Sequence, residues 1–82
     1  MTDSSAIEIE KLDARGWTCP LPVLRARKLL KAMELGRNLE ILATDPGSVR
    51  DFQAFCRQTG NQLVEWNESP DGVYRYLIKK TA

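Results

Sequence analysis

Eighty-two residues are enough for one domain, and twelve basic against eleven acidic side chains leave it almost neutral, at +1. That balance excludes attachment to nucleic acid or to an acidic membrane surface by bulk charge. Histidine is absent and cysteine occurs twice, which removes the commonest general base and leaves too few ligands for a structural zinc site. No metal and no cofactor is expected.

No apolar run approaches the ~20 residues that cross a bilayer. The stretch Met1 to Ala6 is polar and lacks the apolar region of a signal peptide. The expectation is a cytoplasmic protein forming one domain over residues 1–82, with residues 1–6 disordered. In that compartment Cys19 and Cys56 stay reduced rather than joined.

In chain order, residues 7–13 (IEIEKLD) carry Ile7, Ile9 and Leu12 in a first strand. Pro20 opens a helix that the spacing extends to about Leu35. Val23, Ala26, Leu29, Leu30 and Met33 share its apolar face, and Gly36 is expected just past its end. Residues 39–44 (LEILAT) form a second strand. Asp45 as N-cap and Pro46 at the first helical position open a second helix, whose apolar side holds Val49, Phe52 and Cys56 with Phe55 at the margin. Gly60 closes it. Residues 62–66 and 73–79 are strands joined by a turn-forming loop, Asn67 to Gly72.

The order βαβαββ favours two right-handed parallel crossovers and a final antiparallel hairpin. The expected fold is a two-layer α/β (α+β) sandwich, a four-stranded mixed sheet with both helices on one face. Loops that follow parallel strands collect at one sheet edge. The loop before Cys19 and the loop at Asp45 should therefore be neighbours.

Cys19 precedes proline and so avoids the α region, which suits an N-cap. Pro20 and Pro22 then occupy helix positions whose N–H groups have no helical partner, leaving Leu21 N–H to turn toward the sulfur. Thr18 is the alternative N-cap. A helix N-terminus favours a thiolate by about 0.3–1 kcal/mol when exposed, so a somewhat lowered thiol pKa is expected. That setting suits attack on a sulfane sulfur, and it lacks the base and oxyanion site of a peptidase.

Leu21 and Leu24 fall off the core face, either as apolar docking surface beside the thiol or packed on the Trp17 loop. Trp17 either shields the sulfur or packs beneath its loop. Arg25, Arg27, Lys28 and Lys31 read as a solvated helix face or as steering charge, with Arg27 nearest the apolar stripe. Asp13 reads as a loop cap or a site residue. Cys56 reads as core, with a redox role as the alternative.

The run from Leu12 to Pro22 (LDARGWTCPLP), with Asp45-Pro46, Arg50-Asp51, Phe55-Cys56 and the tail Tyr74 to Ile78, resembles the TusA/SirA-like sulfur-carrier family from about Ile9 to Lys80. The resemblance implies strand order 1-2-4-3 with the fourth antiparallel, and a persulfide on the cysteine of C-P-x-P, here Cys19, supported by Pro20, Leu21 and Pro22. It implies a protein donor, a cysteine desulfurase or rhodanese-like protein, and a protein acceptor. The pathways served would be tRNA thiolation, molybdenum cofactor enzymes or sulfur oxidation. Leu21 stands where TusA proteins of tRNA thiolation carry an acidic residue, a departure that bears on the pathway and not on the chemistry. Trp17, Leu24, Arg27 and Asp45 are the candidate docking residues. The expected activity is relay, with no independent turnover of a small molecule. The alternative function is a non-catalytic interaction or regulatory module of the same fold.

Overall fold

The computed structural model describes residues 9–82. Its elements are β1 (Glu10–Ala14), α1 (Leu21–Ala32), β2 (Asn38–Ala43), α2 (Gly47–Thr59), β3 (Gln62–Glu68) and β4 (Tyr74–Lys79). The sheet runs β1-β2-β4-β3. β1 and β2 are parallel, and β4 is antiparallel to both of its neighbours. This is the mixed sheet expected from the order of elements.

Alternation decides which face is covered. In β2, Leu39, Ile41 and Ala43 are fully buried, and in β4 Tyr76 and Ile78 match them. Register places Leu39 opposite Ile78 and Ile41 opposite Tyr76, so large side chains meet across the central pair. Leu12 and Ala14 continue the row in β1. The helices close over it with Ala26 and Leu30 from α1 and Phe52, Phe55 and Cys56 from α2, giving one core. Phe55 is thus buried rather than marginal. Phe52 and Tyr76 hold their rings 4.6 Å apart at its centre.

The uncovered face is polar. Arg75 reaches Glu40 at 2.5 Å and Glu65 at 3.2 Å, a three-strand bridge across β2, β4 and β3. Glu65 is exposed, so this bridge keeps the face hydrated more than it adds stability. β3 is an edge strand with a bulge between Leu63 and Glu65, and its Trp66 stacks on Tyr76 at 6.2 Å.

Two boundaries differ from the sequence reading. The first strand starts at Glu10, and its inward residues are Leu12 and Ala14. Ile7 and the expectation for residues 1–6 lie outside the described residues. Helix α1 ends at Ala32, not near Leu35, because Met33 turns extended and its N–H closes on Leu30. The chain is then drawn onto the end of the sheet, where Gly36 donates to Lys80 at 2.8 Å and Lys80 donates to Arg37 at 2.9 Å. Gly36 serves that turn, with φ +91°, and is not the helix cap. Gly60, at φ +86°, does end α2 as expected.

One buried polar pair ties α2 to the sheet: Ser48 Oγ and Tyr76 Oη lie 2.6 Å apart, both side chains buried. Burial, only partly offset by this bond, pushes the Tyr76 phenol up to about 12. Tyr76→Phe should cost about 1–3 kcal/mol, because Ser48 is left buried without its partner. The Tyr76→Phe/Ser48→Ala double variant should lose less than the sum of the single losses. Urea unfolding of the four proteins measures this. Because the folded phenol titrates above its unfolded value, its contribution is complete below about pH 10 and disappears as pH rises toward 12.

Candidate functional site

Cys19 lies in the arm between β1 and α1, and two side-chain hydrogen bonds fasten that arm to the next crossover. Gly16 N–H donates to Thr44 Oγ1 at 2.9 Å, and Cys19 N–H donates to Asp45 Oδ2 at 2.6 Å. The two loops after the parallel strands are therefore neighbours, as topology requires. Asp45 also accepts Gly47 N–H through Oδ1 at 3.1 Å. One carboxylate thus braces the start of α2 and holds the cysteine backbone. The helix begins at Gly47, one residue later than expected, with Pro46 at the cap position. A methyl group at Gly47 would sit 3.7 Å from Cys19 Cβ, so the first residue of α2 lies directly against the cysteine.

The start of α1 also differs from the sequence reading. Cys19 is not the N-cap, and neither is Thr18: Leu21 is the first helical residue, Pro20 the cap and Pro22 the second position. The Cys19–Pro20 peptide is cis. Leu21 N–H does not face the sulfur. It donates to the Thr18 carbonyl at 2.9 Å, closing a turn over residues 18–21, and the helical ladder starts from Pro20 with Leu24 N–H at 3.1 Å. Because that turn takes up Leu21 N–H and Asp45 holds Cys19 N–H, the thiol stands just outside the helix.

What meets the sulfur is a carboxylate. Cys19 Sγ–H donates to Asp51 Oδ2, a side chain one turn into α2. The thiol is exposed, and it shares an open cleft of about 680 Å³ with Pro46, Gly47, Val49, Arg50, Asp51 and Gln53. The expected lowering of its pKa is overturned. The hydrogen bond to Asp51 pushes the thiol up, helped by desolvation and by the charges of Asp51 and Asp45. A nearby negative charge opposes a second one directly, whereas the helix end offers only a fraction of a positive charge.

The other sequence candidates separate into distinct places. Trp17, Leu21, Leu24 and Arg25 line a groove of about 280 Å³ along α1, with Arg25 stacked 5.8 Å over the indole. Leu21 and Leu24 remain 52% and 53% exposed, so they neither enter the core nor disappear under the Trp17 loop. Trp17 is half-buried against the core. Arg27 lies elsewhere, in a second groove with Lys31, Phe55 and Lys80. Asp13 clasps Arg15 through both oxygens, at 2.8 and 2.7 Å, and this hydrogen bonding holds its carboxyl down at about 2. It braces the arm rather than the thiol.

Cys56 is buried, and burial pushes its thiol up to about 11. Sequence reasoning missed Thr44 and Asp51. The signal for Asp51 was available: it lies four residues after Gly47, on the helix face that a loop beside Gly47 would meet. Among the described residues no cluster of His, Cys, Asp and Glu has the form of a metal site.

At neutral pH, iodoacetamide should label Cys19 and leave Cys56 unmodified until the protein unfolds. The labelling rate should rise with pH through a midpoint above that of an ordinary cysteine, since only the thiolate reacts. Peptide mapping after timed alkylation measures both.

The sequence profile of the family described as Sulfurtransferase TusA matches residues 10–80. The chain is 56% identical over 72 residues to the sulfur carrier protein TusA of Allochromatium vinosum, covering 88% of this chain and 93% of that one. It is 50% identical over 70 residues to a putative sulfur carrier protein of Neisseria meningitidis, covering 85% and 93%. The crystal structure of a SirA-like protein from Desulfitobacterium hafniense superimposes with a TM-score of 0.80 at 31% identity, over 90% of this chain and 100% of that one. Matched by the family profile over residues 10–80, and sharing the fold and most of its length with these relatives, this chain belongs to the TusA family of sulfur carriers.

Proposed function

We propose that this sulfur carrier holds its cargo as a persulfide on Cys19, taking sulfane sulfur from a donor protein and presenting it to an acceptor protein. The observation that carries the reading is the placement of Cys19: exposed at the rim of a cleft, on an arm fastened at both ends, while Cys56 is buried. A relay needs a sulfur that two different partners reach in turn, and an exposed side chain in an open cleft meets that need. Pro20, Leu21 and Pro22 support it by fixing the turn from which the thiol projects.

The donor class is a cysteine desulfurase or a rhodanese-like protein. The acceptor belongs to tRNA thiolation, molybdenum cofactor assembly or sulfur oxidation, and Leu21 in place of an acidic residue favours the latter two. The docking surface is the groove of Trp17, Leu21 and Leu24, whose exposed apolar side chains adjoin the cysteine arm. Asp45 serves docking indirectly, by holding the Cys19 backbone and the start of α2 in place. Arg27, in its separate groove with Lys31 and Lys80, supplies steering charge at a distance from the sulfur. Among the described residues no helix is long and apolar enough to cross a membrane. The cytoplasm is the compartment that keeps such a thiol reduced.

Incubation with a cysteine desulfurase and cysteine should add one sulfur, about 32 Da, removable by reductant. Cys19→Ala should abolish the gain and Cys56→Ala should preserve it, as read by intact-protein mass spectrometry. An unchanged mass under forcing sulfur supply would sink the reading, and rescue of a deletion strain by Cys19→Ser would favour a non-catalytic interaction module. Leu24→Glu should slow sulfur exchange with the protein donor about tenfold while leaving alkylation of Cys19 unaltered, the signature of lost docking rather than lost chemistry.

A further inference from the structure

Transfer of a sulfane sulfur to a thiol requires the thiol proton to leave, and this chain has no histidine to receive it. We propose that Asp51 is the proton acceptor of Cys19: its carboxylate holds the Sγ proton in the resting carrier and takes it as Sγ bonds to the incoming sulfur. The proposal rests on the reading of Cys19 as the sulfur-bearing residue.

Elimination and geometry both lead to Asp51. Asp45 has one oxygen on Cys19 N–H and the other on Gly47 N–H, so its carboxylate is occupied in holding the backbone. Asp13 is clasped by Arg15. On the sheet side the Tyr76 hydroxyl is buried and bonded to Ser48. Arg50 lines the cleft beside Asp51 and has no site that accepts a proton. On α1, Arg25 lies over the Trp17 ring. The Asp51 carboxylate is the acceptor already bonded to Sγ, and it opens to the same cleft, so a donor that reaches the thiol meets both groups.

The step balances without an outside oxidant. Sγ attacks the outer sulfur of the donor persulfide, the donor S–S bond breaks, and its electron pair stays on the donor sulfur. Cys19 moves to the persulfide level as the donor returns to the thiol level. As the new bond forms, the Sγ proton becomes far more acidic than in a free thiol, so a carboxylate is basic enough to take it. Asp51 then yields the proton to the departing donor thiolate, a stronger base by several pKa units. Return of sulfur to an acceptor uses the same positions in reverse.

The two parts of this role make Asp51→Asn move two readouts in opposite directions. Removing the charge should shift the pH midpoint of Cys19 alkylation downward, so that the thiolate is more abundant at neutral pH. Sulfur uptake from glutathione persulfide, followed by mass and divided by the thiolate fraction, should fall about 100-fold, the lower range for a positioned base. Asp51→Ala should behave alike, and thermal melts establish that both variants fold. An unmoved midpoint would overturn the proposal, as would uptake that rises in step with thiolate. Wild-type protein that takes up no sulfur would remove the carrier reading and this role with it. That outcome is distinguishable, because the alkylation midpoint would still move in the Asn variant.

Discussion

The hydrogen bond from Cys19 N–H to Asp45 Oδ2, 2.6 Å long, joins two segments that are distant in sequence and adjacent only because β1 and β2 are parallel. Charge assistance makes such a bond about twice as strong as a neutral one. Its partner oxygen caps the first turn of α2, so the positions of the arm and of the second helix are set by one carboxylate. The Gly16–Thr44 bond repeats the fastening a few residues earlier. The core determines where the strands and helices lie. These two bonds determine where the cysteine lies relative to them.

The consequence for reactivity runs against the usual expectation for a cysteine beside helix starts. Two helix N-termini converge here, and each favours negative charge by a few tenths of a kcal/mol to about one. Yet α2 delivers Asp51 to the sulfur along with its positive end, and a full charge in hydrogen-bond contact outweighs a partial one. The result is an exposed thiol that holds its proton more tightly than an ordinary cysteine does. Restraint of this kind protects an exposed sulfur, because the thiolate is the form that oxidants and electrophiles attack. Simple burial moves the Cys56 thiol in the same direction, up to about 11.

A domain this small has little apolar surface to spare. The interior is filled by Leu39, Ile41 and Ile78 at the centre of the sheet, by small Ala14 and Ala43 beside them, and by two large rings, Phe52 and Tyr76. Leu21 and Leu24 nevertheless stay about half exposed along one groove. Apolar groups left in water beside a reactive group carry an energetic cost that contact with another protein removes. The two sides of α1 therefore differ: Ala26 and Leu30 face inward, and Leu24 and Arg25 face the solvent.

The sequence alone determined the order of elements, the mixed sheet, the inward faces of both helices, and the burial of Cys56. These follow from periodicity and chain connectivity, which are local properties or topological rules. Cys19 was legible for a similar reason, since the prolines of C-P-L-P mark a helix start from the sequence itself. Tertiary structure alone decided the end of α1, because the pull of Lys80 on Gly36 comes from the far end of the chain. It also decided the position of the cap and the upward shift of the thiol pKa. Asp51 lies thirty-two residues from Cys19; helical spacing puts it on the Gly47 face, but its contact with the sulfur was decided only when α2 packed beside the arm. Charge acts through space rather than along the chain, so the chemistry of the sulfur became readable only once the fold had brought the two together.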